Sequence, residues 1–111
     1  MDPADAMIVI YTTVPNEQDA RKLGRELVEE RLAACVNIFP GMTALYHWQG
    51  NLEETPETAM LIKTRLSLQG EAMAAIAARH PYTVPALLVF RPAEVGAPYL
   101  AWLKAATEPA S

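Results

Sequence analysis

The sequence predicts an α+β fold, in which helices cover one face of an antiparallel sheet. A short β-branched run at residues 7–11 predicts a buried strand. Apolar residues then recur at helical spacing from residue 16 to about residue 31. A long apolar and aromatic stretch at residues 34–48 ends in the turn signal Gln49-Gly50-Asn51, which is typical of a hairpin.

The first strand and the first helix are predicted from residues 7–31. The run MIVIY shows no alternation of polar and apolar residues, which indicates a strand that is covered on both faces and central in its sheet. Asn16 is suited to cap the helix, with Asp19 three residues later, and the helix should run to about Arg31. The apolar residues at helical spacing are Ala20, Leu23, Leu27 and Val28.

Residues 34–65 predict a long hairpin. The first arm is interrupted at Pro40-Gly41, where proline cannot donate to a strand ladder and glycine permits a bulge. An arm of about 14 residues would reach ~45 Å at ~3.3 Å per residue. A domain of about 100 residues has a radius of gyration of only ~13 Å. The hairpin should therefore overhang its own domain.

The tip of this hairpin would form an exposed apolar patch on a monomer. Such a patch predicts a partner subunit that covers it. The alternative is that Pro40 and Pro56 fold the two arms back on themselves. The apolar tip residues are Leu45, Tyr46, Trp48 and Leu52.

The remaining sequence predicts a second helix, a last strand and a short closing helix. Ser67 is suited to cap the second helix, and His80-Pro81 should end it, because a residue before proline is pushed out of the α region. A buried strand is predicted at residues 86–90, and the closing helix begins at Pro98. The order βαββαβ with a terminal helix is that of the ferredoxin-like fold, with helices on one face. The anchors of the closing helix are Tyr99, Trp102 and Leu103.

Length and charge limit the organisation of the chain and its partners. The 111 residues, 51% of them apolar, suit one domain, which is predicted at residues 7–106. Residues 1–6 and 107–111 are expected to be flexible tails. A net charge of −4 provides no basic field for nucleic acid. The start lacks a signal-peptide pattern and no apolar run approaches the ~20 residues of a membrane span, so a cytoplasmic protein is expected.

The sequence offers no familiar catalytic constellation. Its two serines, Ser67 at a helix start and Ser111 at the terminus, leave no nucleophile for a Ser/His/Asp triad. Neither G-x-G-x-x-G nor a Walker-type phosphate loop occurs. The single cysteine, Cys35, lies in an apolar strand, where cysteine is usually an inert small hydrophobe. We therefore predict that the protein is not an enzyme.

Three polar features stay open between a structural role and a binding role. His47 lies near three carboxylates that would either bind a divalent ion or keep the hairpin tip soluble. Lys63 continues the apolar row of Leu61 by strand alternation, so it either lines an anion-binding cleft or extends to the sheet edge. His80 either caps a helix end or acts as a ligand. The three carboxylates are those of Glu53, Glu54 and Glu57.

Four segments, in their order and spacing, resemble the CutA divalent-cation tolerance family. They are ERLAACVNIFPGMTALYHWQGNLEE, LIKT, HPYTVP and YLAWL, and the similarity spans residue 8 to about residue 105. The resemblance implies a ferredoxin-like subunit related to the PII signalling proteins, assembled as a homotrimer whose hairpins extend onto neighbouring subunits. It also implies a link to the tolerance of copper and other divalent cations, without an established catalytic reaction.

The resemblance further implies a site at which this sequence departs from the family pattern. Copper binding in some members rests on a cysteine, here Thr12, and on a histidine pair, here Arg79-His80, while a common glutamate is here Ala86. The metal ligands that remain, for copper or another divalent cation, are His80 and Cys35, which would meet across a subunit boundary. The expected ligand cleft contains Cys35, Lys63 and Tyr82, and the expected trimer contacts are Tyr46, Trp48, Leu52 and Trp102.

Two functions of different classes are compatible with these residues. The first is a trimer that binds a divalent cation at its subunit clefts through His80, with Cys35 or a hairpin carboxylate. The second is a PII-like signalling or interaction module, in which the cleft holds a small anionic metabolite against Lys63 and the hairpins contact a partner protein.

Overall fold

The structure, a computed structural model, describes residues 3–109 of the chain. Within this range the chain forms four strands and three α-helices, in the order β1 (Met7–Val14), α1 (Glu17–Glu29), β2 (Cys35–Trp48), β3 (Asn51–Arg65), α2 (Gln69–Arg79), β4 (Leu88–Phe90) and α3 (Ala97–Ala106). The strands form one sheet in the order β2-β3-β1-β4, and every neighbouring pair is antiparallel. This arrangement confirms the predicted ferredoxin-like α+β fold with its long hairpin and closing helix.

Strand β1 lies between β3 and β4 and is covered on both faces, as its uninterrupted apolar sequence predicts. The side chains of Ile8 and Ile10 are fully buried in a core that α1 and α2 cover. Met7 and Val9 point to the other face and pack with Leu103 of α3. Helices α1 and α2 therefore share one face of the sheet, while α3 covers part of the opposite face.

Helix α1 begins as predicted and ends two residues earlier than predicted. The side chain of Asn16 accepts a hydrogen bond from the backbone N–H of Asp19 at 2.8 Å, which caps the first turn. The helix ends at Glu29, because Arg31 adopts a left-handed conformation with φ 61°. The N–H of Leu32 then donates to the carbonyl of Leu27 at 3.0 Å, a termination that satisfies free carbonyls of the last turn.

The predicted start of α2 at Ser67 is wrong in detail. Residues Leu66–Leu68 form a 3-10 turn, and α2 begins at Gln69 after Leu68, with no side-chain cap. Ser67 is therefore inside the preceding turn and does not cap the helix. The predicted end is confirmed, since His80 has an extended backbone directly after the last helical residue.

The hairpin of β2 and β3 is continuous and contains the predicted bulge. Phe39 pairs with Ala59, whereas Met42 pairs with Glu57, so β2 holds one extra residue at this point, where Gly41 has φ 84°. The pairing continues to the turn, and the longest dimension of the molecule is 47 Å. The alternative in which the prolines fold the arms back is therefore wrong, and the hairpin overhangs the domain.

The sheet face that carries α3 remains partly open. Alternation along the strands places apolar side chains of the two edge strands, β2 and β4, on this face, and α3 adds two stacked aromatic residues. We call this set of exposed side chains the uncovered face. Its members, with their exposed fractions, are Phe39 (50%), Leu88 (50%), Phe90 (54%), Tyr99 (37%) and Trp102 (48%).

Contacts of the domain extend beyond the predicted bounds of residues 7–106. Pro3–Asp5 form a 3-10 turn, and Asp5 forms ion pairs with Arg65 and Lys104 at 3.2 and 3.3 Å. Thr107 is buried, and its hydroxyl donates to the carbonyl of Leu103 at 3.0 Å. The outer parts of the two predicted flexible tails, residues 1–2 and 110–111, lie outside the described residues.

Candidate functional site

The side chain of His80 is fixed by the end of α2 and by the end of β1. Its Nε2–H donates to the carbonyl oxygen of Thr13 at 2.8 Å, and the hydroxyl of Thr12 lies 3.1 Å from the same nitrogen. The backbone N–H of Tyr82 donates to Nδ1 at 3.0 Å. Both ring nitrogens of His80 are therefore engaged within one subunit, and their partners define a neutral ring protonated at Nε2.

Burial stabilises this neutral state of the imidazole. Removal from water lowers the pKa of His80 below its ordinary value of 6.5, and the Thr13 carbonyl and Glu57 oppose this effect only in part. A proton on Nδ1 would also face the donating N–H of Tyr82. A metal ion would have to displace one of the two hydrogen bonds before it could reach a nitrogen of His80.

Tyr82 and Glu57 form the second pair of this site. The phenol of Tyr82 donates to Glu57 Oε2 at 2.8 Å, across the gap between the loop after α2 and the hairpin. Burial raises the pKa of Tyr82, and this hydrogen bond raises it further, so the phenol stays protonated at neutral pH. The rings of His80 and Tyr82 adjoin, with centroids 5.1 Å apart. The loop after α2 is therefore tied to both β1 and β3.

A cleft opens between the hairpin and the loop of residues 81–86. We call it the hairpin cleft; its volume is about 450 Å³, and it is lined by Tyr46, Trp48, Glu57 and Tyr82 with several small residues. The bulge determines this lining, because the extra residue in β2 turns Tyr46 and Trp48 to the same side as Glu57. Two of the predicted trimer contacts thus face a loop of their own subunit.

Cys35 and Lys63 form a separate group at the other end of the hairpin. They are cross-strand partners in β2 and β3, and Val9 of β1 is the next residue across the sheet. The ammonium of Lys63 lies 5.7 Å from the centroid of the Tyr99 ring, at the distance of a cation–π contact. No carboxylate lies within ion-pair distance of Lys63 among residues 3–109.

Within one subunit, the predicted cleft and metal residues fall into two groups that do not meet. Glu57, the partner of Tyr82, is six residues from Lys63 along β3, about 20 Å at ~3.3 Å per residue. In the part of the chain that the structure describes, no cluster of three or more His, Cys, Asp or Glu side chains could hold a metal ion. The donors of a single subunit therefore do not fit a copper ion.

Two other polar features of the sequence are structural in this subunit. The guanidinium of Arg79 binds both carboxylate oxygens of Glu30 at 2.7 and 2.8 Å, which ties the end of α2 to α1. The predicted cluster around His47 is divided by strand alternation, since His47 shares a face with Glu54, whereas Glu53 and Glu57 lie on the opposite face. The four side chains do not form one metal site.

Sequence reasoning missed the role of Glu57 in holding Tyr82. The two residues are 25 positions apart, and only the register of the hairpin brings the carboxylate under the loop after α2. A single glutamate in an acidic stretch carries no signal that distinguishes it from its solvated neighbours. The polar partners of His80 at Thr13 and Tyr82 are backbone atoms, which no side-chain pattern could indicate.

The state of His80 predicts how the free energy of unfolding changes with pH. The folded chain binds a proton at His80 less readily than the unfolded chain, because the folded pKa is lowered from 6.5. The stability that this lowered pKa of His80 contributes is complete above about pH 6.5 and is lost as pH falls through the folded pKa. We expect thermal unfolding to show a larger fall in Tm between about pH 7 and pH 5 for wild type than for His80→Gln.

The matched control is His47→Gln, which removes the other histidine, whose exposed side chain makes no hydrogen bond with the described residues. Its fall in Tm over the same pH range should equal that of wild type. An equal fall in Tm over this pH range for wild type and His80→Gln would show that His80 is not held neutral by the fold.

Comparison with known proteins gives a consistent family match. The model of the family described as "CutA1 divalent ion tolerance protein" matches residues 8–106. A divalent-cation tolerance protein CutA of Thermus thermophilus is 46% identical over 96 residues, covering 86% of this chain and 93% of the relative. The human protein CutA is 40% identical over 101 residues, covering 91% of this chain but only 56% of the human protein.

No helix among residues 3–109 has the length and apolar character needed to cross a membrane.

Solved structures confirm the fold. The structure of CutA1 from Ehrlichia chaffeensis matches with a TM-score of 0.92 and 32% identity, covering 94% of this chain and 97% of that one. The Cut A1 structure from T. thermophilus matches with a TM-score of 0.86 and 44% identity, covering 92% and 99%. The chain is therefore a member of the CutA divalent-cation tolerance family.

Proposed function

We propose that this protein acts in divalent-cation tolerance as a non-catalytic, cytoplasmic homotrimer. The family match supports the link to divalent cations. The observation that carries the trimer is the uncovered face, which exposes five large apolar side chains, each between 37 and 54%, across the width of the sheet. Large apolar side chains grouped on one open face mark interaction sites, and a second copy of the same chain is the simplest partner that conceals them.

The exposed outer face of the hairpin also supports the proposed trimer. Leu45 and Leu52 are 66 and 70% exposed and lie on the outer face of the hairpin, away from the hairpin cleft. Edge strands β2 and β4 also leave backbone groups open to further pairing. A neighbouring subunit would cover the outer face of the tip, including the predicted contact Leu52, while Trp102 would lie in the central interface. Tyr46 and Trp48 would contact a neighbour only at the rim of the hairpin cleft.

The proposed metal site lies at the boundary between subunits. His80 and Cys35 belong to opposite ends of the sheet in one chain, so a shared ion requires His80 of one subunit and Cys35 of another. An imidazole and a thiolate suit copper and other borderline or soft cations. An ion bound there would break one of two hydrogen bonds of His80: the one that Nδ1 accepts from the N–H of Tyr82, or the one that Nε2–H donates to the carbonyl of Thr13.

A second function, the binding of a small anionic metabolite as in a PII-like module, is favoured by one observation. Lys63 is half-buried on the uncovered face and contacts the Tyr99 ring, without a carboxylate partner in residues 3–109. A cation held in this way is available to an anion. In the assembled protein, the Lys63 group of one subunit would complete a cleft with a neighbour.

The trimer predicts a native mass of three times the 12.2 kDa of one chain, measured by light scattering. Trp102→Glu should reduce the mass to that of one chain, because it introduces a charge into the apolar interface. Val28→Glu is the matched control, since Val28 is also an exposed apolar residue of a helix, at 40% exposure, but lies on α1 away from the uncovered face. Wild type that runs as a monomer would contradict the proposal.

The metal site predicts copper uptake by wild type, measured by calorimetry in a reducing, buffered solution. His80→Ala and Cys35→Ser should each weaken uptake by at least about tenfold, because each removes one ligand from a shared ion. His47→Ala, which removes an exposed histidine of the hairpin, should leave uptake unchanged. Negligible uptake by wild type, or equal uptake by all four proteins, would show that these residues do not hold copper.

The anion-binding alternative predicts that Tm rises with an anionic metabolite, in proportion to the logarithm of its concentration well above Kd. A thermal-shift screen of such compounds would reveal this rise, and Lys63→Met should abolish it, since methionine retains the apolar stem and lacks the charge. Lys22→Met, on the exposed surface of α1, is the control. A screen in which no anion raises Tm, or in which Lys63→Met responds like wild type, would remove this function.

A further inference from the structure

The hairpin cleft has the charge of a cation-binding site. Among the described residues that line it, Glu57 is the single carboxylic acid, and no Lys, Arg or His contributes. The pKa of Tyr82 is raised mainly by burial and then by the hydrogen bond to Glu57. The negative charges of Glu57 and Asp19 raise it further. The adjoining His80 is held neutral by burial. The nearest basic side chains, Lys22 and Arg79, line an adjoining pocket that also contains Asp19 and do not line the hairpin cleft.

One oxygen of the Glu57 carboxylate is available. Oε2 accepts the hydrogen bond from the phenol of Tyr82, and Oε1 accepts none from residues 3–109. The carboxylate is half-buried, so water covers it only in part. A fixed carboxylate with one free oxygen favours a ligand that donates a charge-assisted hydrogen bond or presents a positive charge.

Aromatic rings form the outer part of the same cleft. Tyr46 and Trp48 are 41 and 50% exposed, although they belong to the side of the hairpin that faces the loop of residues 81–86. The faces of tyrosine and tryptophan rings carry negative electrostatic potential and attract cations. Val84, which is 71% exposed, adds apolar surface opposite them. A volume of about 450 Å³ suits a small molecule.

We propose that the hairpin cleft binds a small organic cation, namely an amine or quaternary ammonium compound with an apolar or aromatic body. The ammonium group lies against Glu57, and the apolar body lies on Tyr46, Trp48 and Val84. An anion would face an uncompensated carboxylate in this cleft. A divalent metal ion would find a single carboxylate where such ions take several oxygen or nitrogen ligands.

Within one subunit, the hairpin cleft shares no residue with the proposed metal site or with the anion site. Neither His80, Cys35 nor Lys63 lines the hairpin cleft. Absence of copper binding would leave this inference unchanged, and absence of organic-cation binding would leave the proposed metal site unchanged.

The test compares three aromatic probes of one size on the wild-type assembly by calorimetry. Phenethylamine carries a positive charge, 2-phenylethanol is neutral and phenylacetate is negative. Phenethylamine should bind at least about tenfold more tightly than either of the other two, because it alone matches the charge of Glu57. Equal affinities for the three probes would show that the cleft binds their apolar ring and does not select their charge, which would overturn the proposal. Absence of binding by phenethylamine, including through closure of the cleft by a neighbouring subunit, would overturn the proposal.

Variants of the hairpin identify the residue responsible. Glu57→Gln removes the charge and retains an oxygen that accepts the hydrogen bond from Tyr82, so the preference for phenethylamine should disappear. Glu54→Gln makes the same charge change on the opposite face of the hairpin and should bind phenethylamine like wild type. Equal loss in both variants, or no loss in Glu57→Gln, would contradict the proposed role of Glu57. The probe comparison on wild type remains decisive should Glu57→Gln fail to fold.

Discussion

The arrangement of the site depends on one extra residue in strand β2. Side chains alternate along a strand, so each added residue exchanges the two faces beyond it. At the bulge between Phe39 and Met42 this exchange turns Tyr46 and Trp48 towards Glu57 and the loop after α2. With regular pairing, Leu45 and His47 would occupy those positions instead. The bulge therefore divides the tip into an aromatic inner face and an outer face that carries Leu45.

The fold could be predicted because its signals are local in the sequence. An uninterrupted apolar run indicated the central strand, Asn16 indicated the start of α1, and Pro40-Gly41 indicated the bulge. The start of α2 could not be predicted in the same way. Ser67 has the side chain of a cap, but the chain makes a 3-10 turn there before α2 begins, and the choice between these conformations depends on packing.

The site could be predicted only in part. The sequence indicated His80 and Tyr82 as candidates, but it could not indicate that backbone atoms of Thr13 and Tyr82 occupy both nitrogens of His80. Nor could it identify Glu57, because that carboxylate acquires its role from the register of β2 and β3 and from a loop 25 residues later. Contacts of this kind depend on tertiary structure, and residue types alone do not specify them.

The two polar groups of the subunit have opposite charge and act independently within one chain. Lys63 lies at one end of β3 and Glu57 lies six residues away, about 20 Å at ~3.3 Å per residue. This separation exceeds the Debye length of about 8 Å at physiological ionic strength, so neither charge compensates the other in solution. Contact between subunits, in which one chain lies beside a different part of the next, is the only arrangement that would bring a Lys63 near a Glu57. Assembly, rather than any change within the subunit, would therefore decide whether the two groups form separate sites or one.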